Sequence, residues 1–461
     1  MRRAWLLGAV VVVAGCGGGG APATTTETTP AGAAPAPTGL RARACGDPAL
    51  AGFRCFGLTV SLHRRGPHAR DGRTLTLRVA VERGAAPRGD LLWLAGGPGQ
   101  AGVPSAPRTS RRLRDATAGY RMVFVDQRGT GATALRCDAL QREVGTSDLL
   151  APSARAVAVC ARTLGAARDA YATADTVADL EALRRALGVR RWAAGGVSYG
   201  TFVAERLALA HPATVSALVL DSVVPQDGAE LVAGVPQRAA GRVLPPAAVA
   251  DLRQLLVADP ALGPRLLDAL TERSIGVPRL QPFPAALHTA LAGDRRPLDA
   301  LLRAAHEEQT GRIPPAVYST GLHAATLCAD SPAPWPGGSA APEAVRASSA
   351  DATRERTGPA ATAPFPLSTA FTQGLYVTCR AWPATPAPPA LHGAQRITAP
   401  ALLLAGDHDL STPLEWARRQ LRSMPRGRLV VVPGAGHSVL SRAPGTTARD
   451  ALRRFLAGVA R

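Results

Sequence analysis

The sequence predicts an α/β fold: a mostly parallel central sheet with helices on both faces, interrupted by an inserted helical lid. Three observations carry this. Short continuous apolar runs at residues 91–95, 122–125, 217–220 and 401–405 have strand length and the character of strands buried on both faces. Segments with helical periodicity, such as 177–187 and 414–421, alternate with them, as parallel strands joined by crossover helices require. From Pro225 to about Leu391 this alternation stops, and only helical periodicity broken by Pro and Gly remains.

Taken in order, the chain opens on a targeting segment. Arg2 and Arg3 precede the apolar run 5–13, which is too short to span a bilayer. Val13-Ala14-Gly15-Cys16 resembles a bacterial lipobox, with cleavage before Cys16 and lipid on its sulfur; an ordinary secretory signal cut near Ala21-Pro22-Ala23 is the alternative. Residues 1–15 are thus expected to be the signal and 16–43, rich in Gly, Ala, Thr and Pro, a flexible tether. Residues 44–224 and 396–461 form the two parts of the α/β core and 225–395 the lid. The expected location is outside the cytoplasmic membrane, held to it only by the lipid.

The 461 residues suffice for a sizeable core, and 46% are hydrophobic. The net charge of +19 suggests nucleic acid until its source is examined. The chain has no Lys and no Asn, so every basic residue other than His is Arg, a bias that a GC-rich bacterial genome produces. The Arg residues are scattered singly or in pairs and not interleaved with aromatics, so a nucleic-acid partner is not expected. Beyond Cys16 there are six cysteines, an even number in an exported chain, and sequence neighbours are expected to pair: Cys45 with Cys55, Cys137 with Cys160, Cys328 with Cys379. No C-x-x-C or zinc-like spacing occurs, and no metal or cofactor is expected. The expected state is a monomer.

Past Phe56, residues 58–62 and 75–81 alternate around the Asp71-Gly72 turn and predict an antiparallel hairpin. The strand 91–95 runs into Gly96-Gly97-Pro98-Gly99, and 122–125 into Asp126-Gln127-Arg128-Gly129-Thr130-Gly131. The apolar piece 191–194 and the helical piece 202–209 are joined by Gly196-Val197-Ser198-Tyr199-Gly200. In a strand–turn–helix setting this G-x-S-x-G is the pattern of a nucleophile elbow, where the serine takes strained dihedrals and only small neighbours fit. After the lid, strand 401–405 ends in Gly406-Asp407-His408-Asp409, and strand 429–432 ends in Pro433-Gly434-Ala435-Gly436-His437. Residues 448–459 close the chain as a helix.

An acyl-transfer serine needs a base, an acid to orient that base, and donors for the oxyanion. In a parallel sheet these groups gather at the C-terminal strand ends. Ser198, Asp409 and His437 each fall at such an end, in the order nucleophile–acid–base expected of an α/β-hydrolase fold. Asp407, nearer its strand end, is expected to be buried and to fix the loop. His408 as base would leave His437 idle, and His211 sits at the far end of the elbow helix. His63, His68, His288, His306, His323 and His392 are taken as structural. The oxyanion donors are expected to be the backbone amides of Tyr199 and of Gly97, where consecutive glycines allow close approach.

These motifs, with Val219-Leu220-Asp221 and Gly406-x-x-Asp409-x-x-Thr412-Pro413, resemble in order the prolyl iminopeptidase and tripeptidyl aminopeptidase family of α/β-hydrolases, most closely its secreted actinobacterial-type branch. The resemblance implies Ser198 as nucleophile, Asp409 as acid, His437 as base, and an exopeptidase acting at a free peptide N-terminus. Prolyl iminopeptidases usually place a His directly before the glycine loop; Ala95 stands there, which favours the tripeptidyl type. The family reads the substrate ammonium through lid carboxylates, for which Glu307, Glu308 and Asp330 are the candidates, each also readable as a surface or helix-cap carboxylate. Many relatives are known only as esterases, so a carboxylesterase or amidase acting on small or lipidic esters stays open. So does a surface-anchored binding protein with a relict site.

Overall fold

The computed structural model describes residues 39–64, 68–69, 71–232, 234–386 and 395–459. The leader, with the lipidation candidate Cys16, lies outside the described residues. Among the described residues nine strands form one sheet: β1 (Gly39–Arg43), β2 (Phe53–Ser61), β3 (Thr74–Glu82), β4 (Gly89–Leu94), β5 (Tyr120–Val125), β6 (Trp192–Ser198), β7 (Val215–Val223), β8 (Ala401–Gly406) and β9 (Gly427–Val432). Their order is β1-β2-β3-β5-β4-β6-β7-β8-β9. The first three pairings are antiparallel and all others parallel. This is the α/β-hydrolase arrangement, with the antiparallel hairpin β2–β3 where alternation at 58–62 and 75–81 placed it.

β1 departs from expectation. Residues 39–43, assigned to the flexible tether, pair with β2 from Gly39↔Thr59 to Arg43↔Cys55. Gly-Leu-Arg-Ala-Arg has no apolar run to announce it. At the sheet edge only Leu40 packs on the core, and the backbone ladder supplies the rest. The Cys45–Cys55 disulfide fastens the turn that follows, and Cys137–Cys160 and Cys328–Cys379 pair as the sequence suggests.

Side chains of β4 alternate between the two faces. Leu92 and Leu94 enter one core with Phe202, Val203 and Leu207, while Leu91 and Trp93 enter the other with Leu113, Leu452 and Leu456. Both faces are therefore sealed by helices, which is why the parallel strands read as unbroken apolar runs. Between β7 and β8 the described chain is helical and builds its own core from Leu252, Leu266, Phe283, Leu287 and Leu298. Two isolated bridges join this insertion to core loops, Gln100 to Tyr318 and Ile275 to His437.

Candidate active site

β6 ends at Ser198, and the helix Tyr199–Ala210 begins at the next residue. Ser198 has φ 58° and ψ −127°, a conformation that costs a non-glycine residue about 1–3 kcal/mol. The glycines on either side make the turn possible. A Cβ on Gly196 would lie 2.7 Å from the Leu94 carbonyl oxygen, and one on Gly200 2.5 Å from the same atom. The Thr201 hydroxyl donates to the Ser198 carbonyl at 2.6 Å and accepts from the Val224 amide at 2.9 Å, fastening the elbow to the end of β7.

Two strands along, the ends of β8 and β9 bring Asp409 and His437 together. Asp409 Oδ2 lies 2.9 Å from His437 Nδ1, and Asp409 is wholly buried. Its Oδ1 accepts the amides of Ser411 (2.9 Å) and Thr412 (2.8 Å), and Oδ2 accepts the Thr412 hydroxyl at 2.7 Å. Burial alone would lower the His437 pKa, but the charge and hydrogen bond of Asp409 outweigh it and the net shift is upward.

The lid holds both loops. Ser274 accepts the His437 amide through its carbonyl (3.0 Å) and the Leu410 amide through its hydroxyl (3.1 Å). A Cβ on Gly436 would fall 1.7 Å from the Ser274 carbonyl, so glycine alone fits there. From the other side, Asp221 at the end of β7 accepts the amides of Val439 (2.9 Å) and Leu440 (3.0 Å), and Ser222 Oγ accepts that of Ser438 (2.8 Å). Burial pushes the Asp221 pKa up to about 6 against the pull of those amides.

The rival residues brace this loop. Asp407 accepts the Gly434 amide at 2.8 Å and contacts His408 Nδ1 at 2.7 Å. Contrary to expectation Asp407 is not buried: its side chain is 32% exposed, and Asp409 is the carboxylate that the loop turns inward.

A cavity opens above the elbow, lined by Ser198, Gly97 and Tyr199, with Phe202, Leu327, Leu375 and Trp416 as apolar wall. Gly96 lies close against the serine, where a Cβ would be 3.1 Å from Ser198 Cβ, and Gly97 lines the cavity beside it. Two carboxylates edge the same cavity, Asp330 and Asp148. Asp330 Oδ2 accepts the Thr173 amide at 2.7 Å, and burial pushes its pKa up to about 6. The Thr173 hydroxyl lies 2.7 Å from Tyr199 Oη, which links this carboxylate to the residue after Ser198.

The other two carboxylate candidates are not brought here. Glu307 and Glu308 are exposed on the helix Arg296–Thr310, and Glu308 pairs with Arg273 (2.8 Å) and Arg279 (3.2 Å). Their helix covers the lid core with Leu298, Leu302 and Ala305, which turns the glutamates outward. Asp148 carries no signal in the sequence, because it lies in a Thr-Ser-Asp loop with no motif around it. The Asp126–Gly131 motif is structural: Gln127 Nε2 donates to the Ala95 carbonyl (3.1 Å), and buried Arg128 forks onto Asp179 with two bonds of 2.7 Å.

Residues 363–459 match the model of the TAP-like protein family. A Streptomyces coelicolor protein named "Probable proline iminopeptidase" is 33% identical over 154 residues, which span 33% of this chain and 38% of that protein. Among solved structures, a proline iminopeptidase of Mycobacterium smegmatis is 16% identical, with a TM-score of 0.41 over 91% of this chain and 98% of its own. An epoxide hydrolase of an endophytic Streptomyces is 19% identical, with a TM-score of 0.38 over 88% and 96%. The sheet order and the strained serine turn give the chain an α/β-hydrolase fold, and its C-terminal segment, residues 363–459, is similar to the TAP-like family.

Proposed function

We propose that the protein is a serine hydrolase that removes residues from the free N-terminus of short peptides outside the cytoplasmic membrane. The observation that carries this reading is that Ser198 shares one cavity with the carboxylates of Asp148 and Asp330 and with an apolar wall. An ammonium group followed by apolar side chains is the complement of that lining. His437, oriented by Asp409, takes the Ser198 proton as the serine attacks the scissile carbonyl. The Gly97 and Tyr199 amides stabilise the oxyanion. His437 then protonates the leaving amine, and water repeats the cycle on the acyl-enzyme. The name of the Streptomyces relative supports a peptide substrate, and three disulfides are compatible with export and with a lipid anchor at Cys16. Among the described residues no helix is long and apolar enough to cross a membrane.

The test uses chain beginning after Cys16 with Pro-, Ala- and Ala-Ala-Pro-naphthylamides, their N-acetylated forms, and p-nitrophenyl butyrate. Cleavage of the free amines that disappears on acetylation is expected, as is a loss of about 10³-fold or more in kcat for Ser198→Ala. Hydrolysis of the ester alone would make the protein a carboxylesterase. Absence of both turnover and fluorophosphonate labelling at Ser198 would leave a binding protein.

A further inference from the structure

We propose that His323 is a positioning residue for the oxyanion: as a buried imidazolium it clamps the Gly96–Gly99 loop from the lid side, so that the Gly97 amide stays turned toward Ser198. This rests on Ser198 being the nucleophile.

Three of the loop's four residues are glycines, so only the ring of Pro98 restricts it from within. It is held from outside. Behind it, Gln127 fixes the carbonyl of Ala95. In front, residues 317–323 of the lid run along it. The Ser319 amide donates to the Gly99 carbonyl (3.0 Å), and Gln100 pairs with Tyr318. A Cβ on Gly99 would lie 2.7 Å from the Ser319 carbonyl oxygen, so the two backbones are in direct contact.

His323, on the helix Thr320–Asp330 and 7% exposed, completes this clamp. Its Nδ1 lies 3.0 Å from the Pro98 carbonyl oxygen and 2.8 Å from Tyr318 Oη. A carbonyl oxygen only accepts, so Nδ1 carries a hydrogen. Nε2 lies 2.6 Å from Asp148 Oδ1, so the carboxylate is its counter-charge. A ring with a hydrogen on Nδ1 and a carboxylate against Nε2 is stable as the cation. Burial lowers the His323 pKa, but Asp148 and the Pro98 carbonyl outweigh it, and the net shift is upward.

The arrangement also gives Asp148 two duties. Its side chain is 52% exposed and lines the cavity with Ser198 and Gly97, while it neutralises His323. A change at Asp148 should therefore reach kcat even for a substrate without an ammonium group.

The experiment compares the wild type with His323→Leu, His323→Gln and Asp148→Asn on p-nitrophenyl butyrate. It also follows fluorophosphonate labelling of Ser198 and amide hydrogen exchange over residues 95–101. Loss of one oxyanion donor costs about 10²–10³ in kcat, so His323→Leu should lose about 10²-fold in kcat with KM changed less than about twofold. His323→Gln, which retains an N–H donor, should recover part of that loss, and Asp148→Asn should also lower kcat. Exchange over 95–101 should quicken while the rest of the sheet is unchanged. A kcat for His323→Leu within about twofold of wild type, or a loss confined to KM, would overturn the proposal while leaving the nucleophile reading intact. If His323→Leu does not fold, the same criteria apply to His323→Gln and Asp148→Asn. A wild type inert to ester and fluorophosphonate would refute the nucleophile reading; unchanged exchange would then refute the clamp as well.

Discussion

The Thr412 hydroxyl donates to Asp409 Oδ2 at 2.7 Å while lying 3.1 Å from His437 Nδ1, so one hydroxyl sits against both Asp409 and His437. Thr412 Oγ1 and His437 Nδ1 converge on the same carboxylate oxygen, and the Ser411 and Thr412 amides occupy the other. Asp409 is thereby fixed in rotation, and its charge is delivered to His437 at a set angle. Asp409→Asn, which keeps the shape and removes the charge, should lower kcat by about 10⁴-fold. Thr412→Val removes one hydrogen bond worth about 1 kcal/mol and should cost roughly fivefold in kcat. Steady-state kinetics decide the ranking; equal losses from both variants would mean that Asp409 acts only as a scaffold.

The upward shift of His437 sets the acid limb of the rate profile. The base must be neutral to take a proton, so kcat/KM for a neutral ester should fall on acidification with an apparent pKa above 6.5, the ordinary value for His. Asp330 adds a second dependence for free-amine substrates only. It must be ionised to hold an ammonium group, and its pKa stands at about 6. KM for those substrates should rise below about pH 6, and Asp330→Asn should raise it at neutral pH and abolish the dependence. A profile identical for ester and free amine would remove Asp330 from amine recognition.

Glu205 lies fully buried in the elbow helix, and neither carboxyl oxygen has a hydrogen-bond partner among the described residues. Burial holds its pKa well above the usual carboxylate value. The folded state thus binds a proton that the unfolded chain releases above about pH 4.5. By linkage, its stability relative to low pH is lost as pH climbs from there toward the folded value. Glu205→Met, close in volume and without polar atoms, should stabilise the protein more at pH 8 than at pH 5. Thermal unfolding at the two values measures this, and an equal shift at both would contradict the assignment.

Arg128 makes a fork onto Asp179 and donates to the carbonyls of Leu62, Ala170 and Ser61, at 1% exposure. Its removal leaves three carbonyls without that donor and the buried Asp179 carboxylate with Arg64 as its remaining guanidinium partner. Arg128→Ala should cost about 3–5 kcal/mol in urea unfolding, and Arg128→Lys most of that, because an ammonium cannot reproduce the fork. A cost below about 1 kcal/mol would show that water replaces the guanidinium.

What the sequence determined by itself is what depends on neighbours along the chain. The glycines of the elbow are required by contacts within the turn and with the adjacent strand, so Gly196-x-Ser198-x-Gly200 is legible as a pattern. Asp409 and His437 are legible because each directly follows an apolar run that a doubly covered parallel strand must have. Cysteine pairing followed from proximity in sequence. The tertiary structure decided the rest. The polar edge strand Gly39–Arg43 is held by a backbone ladder that no side-chain pattern records. Helical periodicity in the lid tells which face of each helix is buried, but not which helix turns toward Ser198. That is why Glu307 and Glu308 stood level with Asp330 until the packing of Leu298 and Leu302 turned them outward. Asp148 and His323, 175 residues apart, meet at 2.6 Å against the glycine loop only because the lid folds back over the sheet. Local sequence specifies the strand-end chemistry because its constraints are steric and short-ranged; the substrate's surroundings are built from contacts between distant segments and exist only once the core and the lid have packed.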